Sequence, residues 1–149
     1  MIIRNAIDSD YDTLAAFETE IARISFNEDA IIDEAFHKRR IMSAADKSGM
    51  FVIESIEKDI LGWMWMEKRE NSVTKERYIN FRSFYIDKTI RGQAIVNELM
   101  QKGIAYAHKL KCARIVGKVH VDNLPMRIIY KANGFQPVHI SMEMKLNSD

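Results

Sequence analysis

The spacing of apolar positions changes several times along the chain, and each change marks the boundary of a helix or a strand. Apolar side chains three or four residues apart are typical of a helix buried on one face, and those two residues apart are typical of a strand. The predicted helices are Tyr11 to Ser25, Ile31 to Ala45, Ile95 to Leu110, and one that starts at Asn123 and Pro125 and stops at Gly134. The predicted strands are Ile2 to Ile7, Met50 to Ile56, Ile60 to Met66, Arg77 to Asp87, Ala113 to Val121 and Val138 to Leu146.

This order of elements predicts a fold of class α/β, with helices flanking a mixed central sheet. The hairpin turn at Glu57-Lys58-Asp59 and the strand that follows it favour antiparallel pairing. The strand–helix–strand unit from Arg77 to Val121 favours a parallel pair with a right-handed crossover. The first two helices are expected to start at polar capping residues, in Asp8 to Asp10 and in Asn27 to Asp29.

The strand from Arg77 to Asp87 contains an irregularity in its alternation. Ile79 and Phe81 share one face, and strict alternation would place Ser83 on that face as well. The next apolar residues are instead Phe84 and Ile86. A shift of phase by one residue predicts a β-bulge near Arg82 and Ser83.

The last predicted strand has the most regular alternation in the chain. Its apolar positions are Val138, Ile140, Met142, Met144 and Leu146, and polar residues stand between them. This pattern predicts a half-buried strand.

Size and composition describe an ordinary globular domain. The chain has 149 residues and 17.3 kDa, with 47% hydrophobic and 29% charged residues, so a single domain over residues 1–149 is expected. The formal net charge of +1 argues against nucleic-acid binding, which usually needs a positive excess.

The apolar runs, the N-terminal residues and the cysteine content predict the compartment and the absence of a metal site. No apolar run reaches membrane-spanning length, and the residues after Met1 do not form an apolar signal core, so no membrane association is expected. Cys112 is the only cysteine, so it forms no internal disulfide and builds no thiolate metal site alone. We therefore expect a cytoplasmic protein without a metal site.

Candidate chemistry begins at the loop Lys88 to Ala94, which joins a strand to the start of a long helix. Unpaired N–H groups and the helix dipole favour phosphate at such a position. The loop has neither the Gly-x-Gly-x-x-Gly pattern of dinucleotide-binding folds nor the Gly-Lys-Ser/Thr of a P-loop. An anion site and an ordinary strand-to-helix turn both fit these residues.

Two stretches of the chain resemble the GNAT superfamily of N-acetyltransferases. Ile86 to Val96, followed by Leu99 and Met100, resembles the end of that family's central strand and its R/Q-x-x-G-x-G/A pyrophosphate loop. This chain departs from the loop pattern by having Ala94 in place of Gly and Val96 in place of Gly or Ala.

The second stretch matches the family pattern N-x-x-A-x-x-L-Y-x-x-x-G-F in its spacing. It consists of Asn123, Met126, Ile129, Tyr130 and Gly134-Phe135, with Met126 where Ala is common. The order of predicted elements also fits the family, so the resemblance covers nearly the whole chain.

The resemblance implies a GNAT-like fold, a mostly antiparallel sheet whose two parallel strands splay apart, and acetyl-CoA as co-substrate. It implies that Tyr130 is the general acid that serves the departing thiolate. It implies contacts to the coenzyme from two groups of residues and from Asn123, which alternatively only caps its helix. The two groups are Phe84, Tyr85 and Ile86 on the strand, and Arg91, Gly92, Gln93, Ala94, Ile95 and Val96 in the loop and helix start.

The general base is not evident, because neither central strand carries a carboxylate after Glu76. The amine proton is therefore expected to leave through water, and the side chains that offer alternatives are Glu18, Glu20, Glu28, Glu54 and His120.

The function implied by the resemblance is acetyl transfer from acetyl-CoA to a primary amine of a small molecule or peptide, by direct attack in a ternary complex. The alternative is a catalytically inactive GNAT-fold module that binds coenzyme A or a protein partner. Ala94 and Val96 favour the alternative, whereas Asn123 and Tyr130 favour the enzyme. Many relatives pair as dimers, so a homodimer is a further expectation.

Overall fold

The computed structural model describes residues 1–26 and 29–147, and the chain divides by its contacts into two compact units. The first unit is Met1–Lys118 and the second is Val119–Asp149. In chain order the first contains β1 (Ile2–Asn5), a short 3₁₀ turn (Asp8–Asp10), α1 (Tyr11–Phe26), α2 (Glu34–Met42), β2 (Met50–Glu54), β3 (Ile60–Glu70), β4 (Arg77–Ile86), α3 (Ala94–Lys109) and β5 (Ile115–Gly117). The second contains α4 (Leu124–Ala132).

The five strands form one sheet in the order β1-β2-β3-β4-β5. The first three neighbouring pairs are antiparallel, and β4 pairs with β5 in parallel across the α3 crossover. The predicted mixed α/β fold with a mostly antiparallel sheet is therefore confirmed.

Helices lie against both faces of the sheet. Successive side chains of β3 point to opposite faces, so their contacts show which helix covers each face. The side chain of Trp63 bonds to Glu18 on α1, so α1 covers the face that carries Trp63 and Trp65. Gly103 on α3 lies so close to Met64 and Met66 that an added Cβ would meet their side-chain ends. The absence of a side chain at Gly103 thus lets α3 approach the opposite face.

The starts of the first two helices differ from the sequence prediction. Asp10 does not cap α1 but accepts the Ile7 N–H at 2.9 Å and the Arg4 guanidinium at 2.7 Å, which closes a 3₁₀ turn ahead of the helix. The second helix was predicted to start near Ile31, but α2 starts after Asp33, whose side chain accepts the N–H of Ala35 at 3.0 Å. Of the cap predicted at 27–29, residues 27 and 28 lie outside the described residues.

The strand predicted from Ala113 to Val121 is shorter than expected, since β5 covers only Ile115–Gly117. The strand predicted from Val138 to Leu146 is wrong. These residues pair with no strand in the described part of the chain, and their five apolar side chains are 78–86% exposed. The alternation is present in the sequence, but it forms no sheet because no strand in the described part of the chain pairs with these residues.

Among the described residues, no helix has both the length and the apolar character that a membrane crossing requires.

Candidate active site

The centre of the candidate site is an irregularity in β4. Trp65 on β3 lies opposite Ser83, and the next residue, Met66, lies opposite Phe81. Arg82 therefore stands between them without an opposite residue, which is the geometry of a β-bulge. The bulge predicted from the phase shift is confirmed, and it explains why Phe81 and Phe84 share a face, with ring centroids 5.7 Å apart.

Beyond the bulge, β4 is open on the side where β5 would lie. The parallel pairing covers only three residues of β4, and Phe81 opposite Gly117 is the last. Asp87 donates its N–H to Leu61 on β3 at 2.8 Å. Because backbone groups alternate in direction along a strand, those of Phe84 and Ile86 face the open side and those of Tyr85 face β3.

The loop after β4 presents unpaired donors. Within residues 1–26 and 29–147, no hydrogen bond is formed by the N–H groups of Arg91, Gly92, Ala94 or Ile95. The N–H of Val96 is occupied, since it donates to the carbonyl of Gln93 at 3.1 Å. The loop and the first residues of α3 thus leave four main-chain donors at the positive end of a 16-residue helix.

The conformation of this loop is fixed by its own residues. Gly92 has φ of +81°, which other residues adopt only with strain. Asp87 accepts both the N–H and the hydroxyl of Thr89, and these bonds lower the pKa of the Asp87 carboxyl. Arg91 donates its Nε to the carbonyl of Ile86 at 3.2 Å, and Gln93 donates its Nε2 to the carbonyl of Thr89 at 3.2 Å. The loop is therefore held in shape before any ligand is bound.

The face of the sheet under α1 carries a buried carboxylate beside the open part of β4. Glu18 is 9% exposed, and its Oε1 accepts the indole N–H of Trp63 at 2.6 Å. Trp63 lies opposite Tyr85, and the Tyr85 ring stacks on Phe17 at 4.3 Å. No hydrogen-bond donor to the second oxygen of Glu18 is found among the described side chains.

The bulge also brings Ser83 and Arg82 to this face; the shift of phase located the bulge at these two residues but assigned neither side chain to the site. Ser83 is 3% exposed, and its hydroxyl has no hydrogen-bond partner in the described part of the chain. The Arg82 guanidinium lies 3.9 Å from the centre of the Trp65 ring and bonds to Glu67 at 2.7 Å. Burial lowers the pKa of Arg82, the neighbouring Arg40 adds to that effect, and Glu67 opposes it.

The other candidate bases are engaged elsewhere or exposed. Glu20 pairs with Arg23 on the outer face of α1. Glu54 bonds to Arg4 at 2.7 Å, and this bond is the main cause of its lowered pKa. His120 is half exposed and accepts the N–H of Asp122 through Nδ1. The candidate at position 28 lies outside the described residues.

In the second unit, Asn123 caps α4. Its Oδ1 accepts the N–H of Met126 at 3.2 Å, and its own N–H donates to the carbonyl of His120 at 2.9 Å. Pro125 stands in the first turn, as predicted. The capping role of Asn123 is confirmed, and this role occupies one of its two side-chain polar atoms.

Tyr130 lies three residues before the C-cap of α4, in a turn whose hydrogen bonds define a Schellman motif. Phe135 donates its N–H to the carbonyl of Tyr130 at 3.0 Å, and Gly134, with φ of +84°, donates to Lys131 at 3.1 Å. The rings of Tyr130 and Phe135 meet edge to face at 4.8 Å. Tyr130 is 9% exposed, and burial raises the pKa of its hydroxyl to about 12.

Comparison with known proteins gives a family and a set of similar folds. The sequence matches the model of the Acetyltransferase (GNAT) family over residues 12–135. None of the curated proteins compared with this sequence matches it.

Three solved structures illustrate the similarity of fold. A protein from Pyrococcus furiosus described as an acetyl transferase has a TM-score of 0.79 at 18% identity, over 97% of this chain and 99% of that one. The aminoglycoside 6'-N-acetyltransferase AAC(6')-IG from Acinetobacter haemolyticus has a TM-score of 0.72 at 13% identity, over 100% of both chains. AAC(6')-Iy, in complex with the bisubstrate analogue CoA-S-monomethyl-acetylneamine, has a TM-score of 0.72 at 10% identity, over 99% of this chain and 98% of that one.

The raised pKa of Tyr130 predicts a loss of stability at alkaline pH. Above about pH 10 the unfolded phenol releases its proton while the folded one keeps it, so the free energy of unfolding falls as the pH rises toward about 12. At about pH 11 the loss due to this group is about 1.4 kcal/mol. Urea unfolding of the wild type and of Tyr130→Phe, at about pH 9 and about pH 11, measures it.

The variant lacks the titrating hydroxyl, and all other tyrosines and lysines are common to both proteins. The wild type should therefore lose more stability between the two pH values than the variant does. Equal losses would show that the hydroxyl of Tyr130 titrates alike in the folded and unfolded chains.

Proposed function

Because this chain belongs to the GNAT acetyltransferase family, we propose that it transfers an acetyl group from acetyl-CoA to a primary amine of a small molecule or peptide. The amine nitrogen attacks the thioester carbonyl directly in a ternary complex, the carbon–sulfur bond breaks, and coenzyme A leaves as the thiolate. The observation that carries this proposal is the set of unpaired main-chain donors after β4, beside the open part of that strand.

The pyrophosphate of acetyl-CoA is held by the N–H groups of Arg91, Gly92, Ala94 and Ile95. The positive end of α3 favours its charge, and the Arg91 side chain adds a cation in the same loop. Side chains contribute little to these contacts, so Ala94 and Val96 do not abolish them although the family pattern has smaller residues there. Gln93 and Val96 shape the helix start, and Asn123 offers its free amide group to the coenzyme.

The thioester arm runs along the open side of β4. The main-chain groups of Phe84 and the N–H of Ile86 face that side and pair with the amides of the pantetheine chain. The Ile86 carbonyl keeps its bond from Arg91, and Tyr85 forms the wall behind them. A main-chain N–H of this stretch polarises the thioester carbonyl as negative charge develops on its oxygen.

Tyr130 stabilises the departing thiolate. A pKa of about 12 keeps the phenol protonated at neutral pH, so the hydroxyl carries a proton throughout the physiological range. An ordinary thiol has a pKa of about 8.5, so complete proton transfer from this phenol is uphill. We therefore assign Tyr130 the role of a hydrogen-bond donor to the thiolate, which takes its final proton from water.

Glu18 accepts the proton of the attacking amine. Its carboxylate is buried under α1, the Trp63 indole fixes one oxygen, and the second oxygen is left to accept a proton. It lies beside the segment after the bulge, on the face that carries Trp63 and Tyr85. Where the Glu18 carboxylate and the amine are not in direct contact, the expected water relay carries the proton between them.

We propose that residues 1–149 act as one acetyltransferase domain, that the protein works in the cytoplasm, where Cys112 stays reduced, and that it pairs as a homodimer. Nucleic acids and membranes are not partners in this proposal. Binding of acetyl-CoA with no turnover of any amine would instead support an inactive module that binds coenzyme A or a protein.

Ala94→Pro should weaken acetyl-CoA binding without disturbing the fold. Ala94 is the first residue of α3, where proline is well tolerated, and the extended backbone of Gln93 (ψ 155°) suits a following proline. The change removes one unpaired donor, which is worth about 1.5–3 kcal/mol when it bonds to a charged group, or roughly 10- to 150-fold in affinity. Calorimetric titration with acetyl-CoA measures the change.

The matched control is Ala94→Gly, which keeps the N–H and restores the family residue. It should bind acetyl-CoA at least as tightly as the wild type. If Ala94→Pro is folded and binds with unchanged affinity, the main-chain donors do not hold the pyrophosphate.

Tyr130→Phe should lower kcat and kcat/KM together, because the hydroxyl acts mainly in the transition state. Water replaces the lost donor in part, so the fall is about 100-fold, the low end for general-acid help. Affinity for acetyl-CoA should stay within about twofold, because the ring and its contact with Phe135 remain. Normal kcat in the folded variant would reduce Tyr130 to a packing residue.

Glu18→Gln should lower kcat/KM for strongly basic amines by about 100-fold or more. The amide oxygen still accepts the Trp63 indole, so the fold and acetyl-CoA affinity are kept. An amine that is already neutral at the assay pH needs no base. With a weakly basic analogue of the acceptor, kcat/KM should therefore fall much less in Glu18→Gln.

The control variant for this test is Glu20→Gln, two residues away on the exposed face of α1, which should behave as the wild type. An equal fall for basic and weakly basic amines in Glu18→Gln would assign Glu18 to structure rather than to proton removal.

A further inference from the structure

Arg82 carries free hydrogen-bond donors on the face of the sheet that also carries Glu18. Its Nη1 donates to Glu67 at 2.7 Å, and its guanidinium lies 3.9 Å from the centre of the Trp65 ring. Within the described residues, its Nε and Nη2 form no hydrogen bond. These two nitrogens form one edge of the planar guanidinium, which is the edge that matches the two oxygens of a carboxylate. The side chain is 21% exposed, so a ligand can reach this edge from outside.

The surroundings of Arg82 carry more positive than negative charge. Glu67 is shared, because it also accepts the Arg69 Nε at 2.6 Å. Arg40 on α2 lies over the Phe36 ring at 5.7 Å, and no carboxylate in the part of the chain that the structure describes forms an ion pair with it. Burial lowers the pKa of Arg82, and the positive charge of Arg40 lowers it further. Three guanidinium groups therefore surround one carboxylate, which favours a second negative charge from outside.

Glu18 and Arg82 contact neighbouring indole rings. Glu18 accepts the N–H of Trp63, and Arg82 lies against the ring of Trp65. The centres of the two rings are 5.9 Å apart, which is less than two residues of an extended chain. An amine at Glu18 and an anion at Arg82 are thus close enough to belong to one small molecule.

We propose that the acceptor is a small amine that also carries a carboxylate, as a free amino acid does. Arg82 binds the carboxylate through its free edge, Arg40 adds positive charge, and Glu18 faces the amine. An acceptor with several ammonium groups is disfavoured, because the same guanidiniums repel it. This inference rests on the proposed acetyl transfer for the role of the amine, and on Arg82 and its surroundings for the carboxylate.

Kinetics with matched pairs of acceptors test the proposal. The common α-amino acids, β-alanine and γ-aminobutyrate are each compared with the corresponding carboxamide, which keeps the primary amine and lacks the negative charge. For the best acid, kcat/KM should exceed that of its amide by about 10- to 150-fold, mainly through KM, as expected for a hydrogen bond to a charged group. The amide is the less basic amine and is more often neutral, so its own reactivity works against this difference.

Variants of the arginines assign the preference to residues. Arg82→Gln removes the charge and the fork and should abolish most of the preference for the acid, whereas Arg82→Lys keeps the charge and should retain part of it. Because Arg82 also holds the bulge, the melting temperature and the affinity for acetyl-CoA are measured for both variants. Arg40→Gln changes an exposed helix position and should lower the preference about two- to fivefold. The matched control is Arg39→Gln, the adjacent exposed arginine, which should keep the preference of the wild type.

Calorimetric titration supplies a result that does not depend on turnover. The best amino acid should bind the protein saturated with coenzyme A, and its carboxamide should bind at least about tenfold more weakly. The inference is overturned by equal affinity for acid and amide, by the absence of binding for every acid, or by a preference that survives in both Arg82→Gln and Arg40→Gln. Faster acetylation of a polyamine than of every amino acid would also overturn it. If no amine is acetylated, the proposed acetyl transfer fails, and the titration still decides whether the site takes a carboxylate.

Discussion

The unopposed residue Arg82 is the constraint from which the rest of the site follows. Before it, the main-chain groups of Ile79 face β5, as the bond from the Ile79 N–H to Arg114 shows. After it, the groups that face this side belong to Phe84 and Ile86, while the apolar side chains still point at α3. In a regular strand of the same residues, without the bulge, Phe84 and Ile86 would turn their side chains away from α3 and their main-chain groups toward β3. The bulge therefore sets both directions at once.

Placing an arginine at the bulge has its own cost, because the guanidinium becomes half buried. Glu67 supplies a counter-charge at 2.7 Å and the Trp65 ring supplies a polarisable face at 3.9 Å. These contacts hold the bulge in one register, because a slip by one residue would move Arg82 away from both. The open segment after the bulge is therefore a built feature of the strand.

The sequence predicted those parts of the fold that depend on residues close together in the chain. The phase of apolar residues in β4 shows the bulge because each side chain reports which face it occupies. The same reasoning fails for residues 138–146, because alternation describes one strand whereas a sheet needs two. It also overestimates β5, since the spacing of apolar side chains does not show where pairing with β4 stops. The start of α2 was missed because several polar residues can cap a helix and only the fold selects Asp33.

The part of the family pattern from Tyr130 to Phe135 has a structural role that is separate from any chemical one. Gly134 and Phe135 complete a Schellman motif, and the Tyr130 ring makes the apolar contact that accompanies it. The spacing alone therefore indicates how α4 ends, and any aromatic residue would satisfy that need. The two main-chain bonds and the ring contact do not require a hydroxyl, so the phenolic oxygen is the atom of the motif to which we assign a chemical role.

The loop donors follow from the local sequence, whereas the placement of Glu18, one of five candidate bases, does not. Main-chain donors come from a helix start and a glycine with positive φ, which lie within six residues of sequence and leave a local signature. Glu18 is placed by a bond to Trp63, 45 residues away, and no spacing along the chain records it. Main-chain donors survive changes such as Ala94 and Val96, whereas a substitution that removes the Glu18 carboxylate removes the proposed acceptor of the amine proton. The same division explains why the coenzyme can be proposed from sequence and the amine acceptor cannot, since side chains brought together only by the fold determine which amine is bound.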